Sequence, residues 1–124
     1  MDISSIAPKS RTVDITHPVT GEPVGIKFVL LPDSDEKVKK AKRVIQNRQL
    51  QSRKLNITAE QLEANSLDLL VAAIDSWEWT GDAEFRGEKP EFTAANVRTV
   101  LRDVDWIRKQ VDRELGNEEA FFEA

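Results

Sequence analysis

Residues able to do chemistry are sparse in this chain and unevenly placed. Between Lys37 and Lys54 lie eight cations (Lys37, Lys39, Lys40, Lys42, Arg43, Arg48, Arg53, Lys54) and no acid. The whole chain carries a net −4, so everything outside that stretch carries −12. Such an imbalance bears on partners or on internal charge pairing, not on fold. A helix this basic can neutralise phosphates, with Lys39, Lys40, Arg43 and Arg48 as the contacting side chains. Its cations alternate with Gln46, Asn47, Gln49 and Gln51, however, and it has no aromatic on which a base could stack. The reading preferred here is a solvated helix that meets acidic surface, on this chain or on a partner. Nucleic acid is not the expected ligand.

The acids offer no hydrolytic pair. No carboxylate stands beside a nucleophile and base, and the single histidine, His17, falls in a turn of two prolines and a glycine. With no cysteine or tyrosine and one histidine, disulfides, thiolate sites and histidine-built metal sites are all excluded. Gly21 and Gly25 precede a strand and no Gly-Lys-Ser/Thr follows them, so they form no phosphate loop. The expectation is therefore no enzyme, no cofactor and no metal. Asn56-Ile57-Thr58 fits the glycosylation pattern, but it is read as a helix boundary.

Aromatic residues are the other candidates for contact. Trp77 aligns with Ala73 and Ile74 and is expected in the core. Trp79 lies about 200° further round if the helix continues, so it is expected at the surface or under a loop. Phe121 and Phe122 sit side by side among acids near the end of the sequence. They read either as an exposed apolar anchor or as a latch folded onto the last long helix. The candidate partner-binding set is thus Lys39, Lys40, Arg43, Trp79, Phe121 and Phe122.

The elements that would position these residues follow from periodicity. A chain of 124 residues is enough for one domain with its own core. Residues 1–10 lack periodicity and read as a flexible arm. Arg11 to Ile15 and Val24 to Leu31 alternate like strands around the turn His17 to Pro23, giving a β-hairpin over 11–31. The second strand is apolar on both faces in its latter half, so cover on both sides is expected. Asp33 and Glu36 are spaced as a capping box opening a basic helix over 34–53. Thr58 and Gln61 open a second helix, 59–78, whose stretch Leu67 to Ile74 is apolar nearly all round and so reads as central. Thr93 caps a third, over 94–115, with Asp103 as a point where it can restart, Val104, Ile107, Val111 and Leu115 on one stripe and Gly116-Asn117 as its stop. The predicted fold class is α+β, mainly α: an N-terminal hairpin beside three main helices, with a helical body over 34–116, a single domain over 11–116 and a C-terminal tail over 117–124. The longest purely apolar run, Leu69 to Ile74, is six residues against about 20 for a membrane span. The N-terminus has no secretion-signal pattern, so a soluble intracellular protein is expected.

Taken in order, several stretches resemble a family. They are H-P-V-T-G-E-P-V-G-I-K-F at His17–Phe28, D-S-D at Asp33–Asp35 opening a basic helix, and L-L-V-A-A-I-D-S-W at Leu69–Trp77. Then come G-E-K-P-E-F-T at Gly87–Thr93, Asn96-Val97, W-I-R-K-Q-V at Trp106–Val111 and N-E-E-A-F-F at Asn117–Phe122. The ordered set resembles the tail assembly chaperones of long-tailed, siphovirus-like bacteriophages, from about Val13 to Phe122. The resemblance implies a non-enzymatic protein of the host cell cytoplasm that coats and solubilises the tape-measure protein. It also implies help in recruiting tail tube subunits, and absence from the mature virion. Charge asymmetry adds the expectation of self-association into arrays. The alternatives are a structural tail-completion or connector protein of the virion, and a small nucleic-acid-binding module using the basic helix 37–54.

Overall fold

The computed structural model describes residues 1–51 and 58–123. The α+β, mainly α class holds: a three-stranded antiparallel sheet is packed on one face by helices. β1 (Arg11–Thr16) and β2 (Pro23–Leu30) are the expected hairpin, with Val13 opposite Phe28 and Asp14 opposite Lys27. Gly21, at φ +73, closes its turn by donating to the His17 carbonyl.

The largest departure from the sequence reading comes after Ala72. The second helix, α2 (Ala59–Ala72), stops there, and Ile74–Trp79 forms β3 against β2 instead of continuing as helix to residue 78. The physical reason is a change of period. Trp77 and Trp79 flank Glu78 with a spacing of two, so both fall on one face of a strand, whereas a helix would split them. Trp79 lies opposite Ile26 and Trp77 opposite Phe28. The two indoles meet edge to face at 5.4 Å, and Trp77 meets Phe28 at 6.0 Å. A short run that is apolar all round does not distinguish a buried helix from a strand. Here it is the last turn of one followed by the start of the other.

The inner sheet face presents Val13, Ile15, Ile26, Phe28, Leu30 and Ile74. It packs on Leu67 and Leu70 of α2, on Val97, Val100 and Leu101 of α3 (Ala94–Asp103), and on Ile107 and Val111 of α4 (Asp105–Leu115). Each such large apolar side chain contributes about 1.5–3 kcal/mol when fully buried. The outer face carries the row Asp14, Lys27, Glu78 across the three strands, with alternating charge. On that face Val29 is half-buried and Leu31, just past the strand, is buried against Val38 and Ala73, so the expected cover on both sides of β2 is only partly met.

Gly25 is needed where β2 meets the end of β3. Its φ is +100, and a Cβ there would lie 2.8 Å from the Thr80 carbonyl oxygen and 2.9 Å from Ala83 Cβ. The carbonyl of Gly25 accepts from both the Thr80 amide and its hydroxyl.

The third helix expected over 94–115 is two, divided just after the Asp103 restart point. Val104, at φ −116 and ψ 86, breaks it, which lets Leu101 and Ile107 both enter the core. Thr93 and Thr58 cap as their sequences suggest: Thr58 accepts from the Gln61 amide while the Gln61 side chain accepts from the Thr58 amide. At the first helix, α1 (Glu36–Gln51), the cap is Asp35, which accepts from the Lys37 amide at 2.9 Å, and not Asp33. Asp33 instead pairs with Lys42 at 3.4 Å. The expected end of this helix near Arg53 and the break at Asn56 lie outside the described residues.

One polar residue sits within the core stripe of α4. Gln110 is 9 % exposed. Its Oε1 accepts from the Thr16 amide at 2.9 Å and its Nε2 donates to the Thr16 carbonyl at 2.8 Å. The side-chain amide thus stands in for a strand at the outer edge of β1. Among the described residues no helix is long and apolar enough to cross a membrane.

Candidate partner-binding surface

The cationic face is built by α1. Its apolar stripe is thin, and only Val38 is buried, against Leu31 and Ala73. Two ion pairs join α1 to the body, Lys42 to Asp33 and Arg48 to Asp68 at 3.1 Å. Asp68 also receives Arg98 of α3, so this half-buried carboxylate joins three helices. Lys37, Lys39, Lys40 and Arg43 are exposed, with no carboxylate within ion-pair distance among the described residues. The internal charge pairing weighed above therefore absorbs two of the α1 cations and leaves these four facing water.

Between α1 and α2 runs an open groove of about 230 Å³. Ala41, Val44 and Ile45 form its apolar floor, Lys37, Lys40 and Arg48 its rim, and Asp68 of α2 closes one side. Val38 lies by Ala73, and Arg48 reaches Asn65 and Asp68, so the two helices run antiparallel. Leu50 and Leu62 accordingly share the outer end of the pair, at 63 % and 53 % exposed. Val44, Leu50 and Leu62 lie at apolar-stripe spacing in the sequence, yet all three are exposed, and sequence reasoning missed the groove. The available signal was the narrow stripe itself, since a helix that buries one side chain has apolar residues to spare.

The two phenylalanines separate. Residues Glu118–Glu123 form a short helix, α5, where only a tail was expected. Phe121 is 3 % exposed and belongs to the main core, with the Arg11 guanidinium 5.6 Å from its ring centroid. Its carbonyl accepts from the Lys9 amide at 2.9 Å, which ties residues 1–10 to the far end of the chain. Arg11 is held in place by Glu114 at 2.9 Å. Phe122, one step round the helix, is 52 % exposed and borders a cleft of about 170 Å³ with Pro8, Pro32, Leu115 and Glu118. So Phe121 is the latch and Phe122 keeps the surface.

Trp79 is half-buried against the core beside Trp77, and its Nε1 is buried without a hydrogen-bond partner among the described residues. Lys39, Lys40 and Arg43 therefore share one helix, Trp79 lies in the sheet and Phe121 in the core. These six residues do not form one patch.

Elsewhere, charges serve local ties. A hydrogen bond from Arg108 holds the Glu63 carboxyl below its ordinary pKa, joining α2 to α4. Arg102, and then Arg86, do the same for Asp103. Among the described residues no three His, Cys, Asp or Glu side chains gather as a metal-holding group. Comparison with family models, curated proteins and solved structures finds no match to the chain.

Proposed function

We propose that this protein is a phage tail assembly chaperone, acting without catalysis. It binds a long, helical, aggregation-prone tape-measure protein in the host cytoplasm and helps recruit tail tube subunits. The ordered sequence resemblance motivates the assignment. The observation that supports it most is the outer end of the α1–α2 pair, where Leu50 and Leu62 are more than half exposed, while the opposite half of α1 carries the uncompensated cations Lys37, Lys39, Lys40 and Arg43. Exposed apolar side chains at one end of a cationic helix suit an amphipathic client helix laid along it. Each contact of this size is weak, and many copies on one client supply avidity through effective concentration.

The test is co-expression with the tape-measure protein, reading the soluble fraction of the client. Wild-type chain should raise it, and Leu50→Asp with Leu62→Asp should not. A client equally soluble with and without the chain ends the chaperone reading. Finding the chain in purified particles instead would favour a structural tail protein.

A further inference from the structure

We infer that the groove on α1 receives the C-terminal helix α5 of a second copy of this chain, by a head-to-tail contact. Both halves of that contact are formed by this chain. The groove offers an apolar floor of Ala41, Val44 and Ile45 beside the cations Lys37 and Lys40, unpaired among the described residues, while Arg48 in its wall is already paired with Asp68. The complementary element is α5, whose one exposed aromatic, Phe122, lies among Glu118, Glu119 and Glu123. Glu118 and Glu119 precede Phe122 by four and three residues, so all three share one face of the helix. An aromatic ringed by acids meets an apolar trough whose uncompensated charges, Lys37 and Lys40, are positive, so the two surfaces match in polarity and in the sign of their free charge.

The contact is intermolecular because α5 is fixed to its own body. Phe121 is buried in the main core, and its carbonyl is bonded to the Lys9 amide. Phe122 is therefore presented outward from a rigid base, so little ordering cost accompanies docking. The two surfaces are different patches of one molecule. Their union is heterologous and extends to further copies unless the rotation happens to close. This inference needs no client, so it stands or falls separately from the chaperone assignment.

The test uses the full chain alone, by sedimentation velocity across concentration and salt. Wild type should associate reversibly, and association should weaken as salt rises because the rim pairs are exposed. Phe122→Ala removes the anchor and should weaken association about tenfold or more, in the range of a modest hot spot. Lys37→Glu with Lys40→Glu should do the same from the groove side. Circular dichroism should show both variants folded, since neither alters a buried side chain.

The diagnostic arm mixes the two defective variants. The groove-defective chain still has a good tail, and the tail-defective chain still has a good groove. Together they should form a one-to-one dimer and nothing longer. Three results overturn the inference: wild type monomeric at every soluble concentration, Phe122→Ala associating like wild type, or no dimer in the mixture.

Discussion

Replacing Gln110 by alanine tests whether one side chain closes the outer edge of β1. Gln110 is 9 % exposed, and it makes two short bonds to Thr16, 2.9 Å to the amide and 2.8 Å from its own Nε2 to the carbonyl. A third contact, from the Thr16 hydroxyl to Oε1, is longer at 3.3 Å. Each good bond is worth about 1 kcal/mol net, so their loss alone gives about 2 kcal/mol. The half-buried Thr16 amide and carbonyl are also left without partners, which carries the expected total to about 2–3 kcal/mol. That is a large share of the roughly 5–15 kcal/mol available to a domain. The assay is urea unfolding followed by tryptophan fluorescence, with the slope checked for two-state behaviour. Gln110→Glu provides the control. Its carboxylate can accept from the Thr16 amide but cannot donate to the Thr16 carbonyl at pH 7. Once protonated it can donate, so the folded state raises its pKa. The deficit relative to wild type should therefore be largest at neutral pH and shrink as pH falls toward about 4. A change below about 0.5 kcal/mol for Gln110→Ala would mean water already serves that edge, and the reasoning would be wrong.

Three further outcomes are expected. Phe121→Ala should cost about 3–5 kcal/mol and Phe122→Ala under about 1, a contrast readable by thermal denaturation and lost if the pair were equivalent. Gly25→Ala should destabilise by more than the roughly 1 kcal/mol of an ordinary glycine exchange, because its Cβ meets backbone oxygen at 2.8 Å and its φ is positive. Wild-type stability at pH 6 measured against Gly25→Ala would settle it, and a stabilised variant would refute the geometry. Glu63 and Asp103 have depressed folded pKa values, so what they contribute is fully present above the ordinary carboxylate range and is lost as pH falls through the lower folded values. Glu63→Gln with Asp103→Asn should accordingly flatten the loss of stability as pH falls below about 4, as seen by denaturant midpoints, and an unchanged slope would discount both ties.

Local signals located most of the elements because they act through neighbours in sequence. The hairpin over 11–31 was legible from alternation and from the turn glycine, and the capping box at Thr58 and the N-cap at Thr93 from side chains that bond their own helix starts. The α4 stripe was legible because its apolar residues recur at helical spacing. The misassigned strand shows where such signals fail. Leu67 to Ile74 lacks a polar face, so its period is unreadable, and pairing with β2 decides where helix ends. Of the candidate contact residues, the α1 cations were visible as a charge block, but which of them find carboxylates depended on the turn that brings Asp33 back to Lys42 and on the packing of α2 that brings Asp68 to Arg48.

By itself, then, the sequence determined the class of elements, the cationic helix and the acidic, aromatic C-terminal end, because charge, capping and periodicity are properties of short stretches. Tertiary structure alone decided that Trp77 and Trp79 share one sheet face, and that Gln110 finishes the edge of β1. It also decided that Phe121 is buried while Phe122 is not, and that Val44, Leu50 and Leu62 stay in contact with water. Each of these depends on which surfaces meet across the chain. Two adjacent identical side chains differ in fate only because the helix that carries them turns one toward the core and the other away.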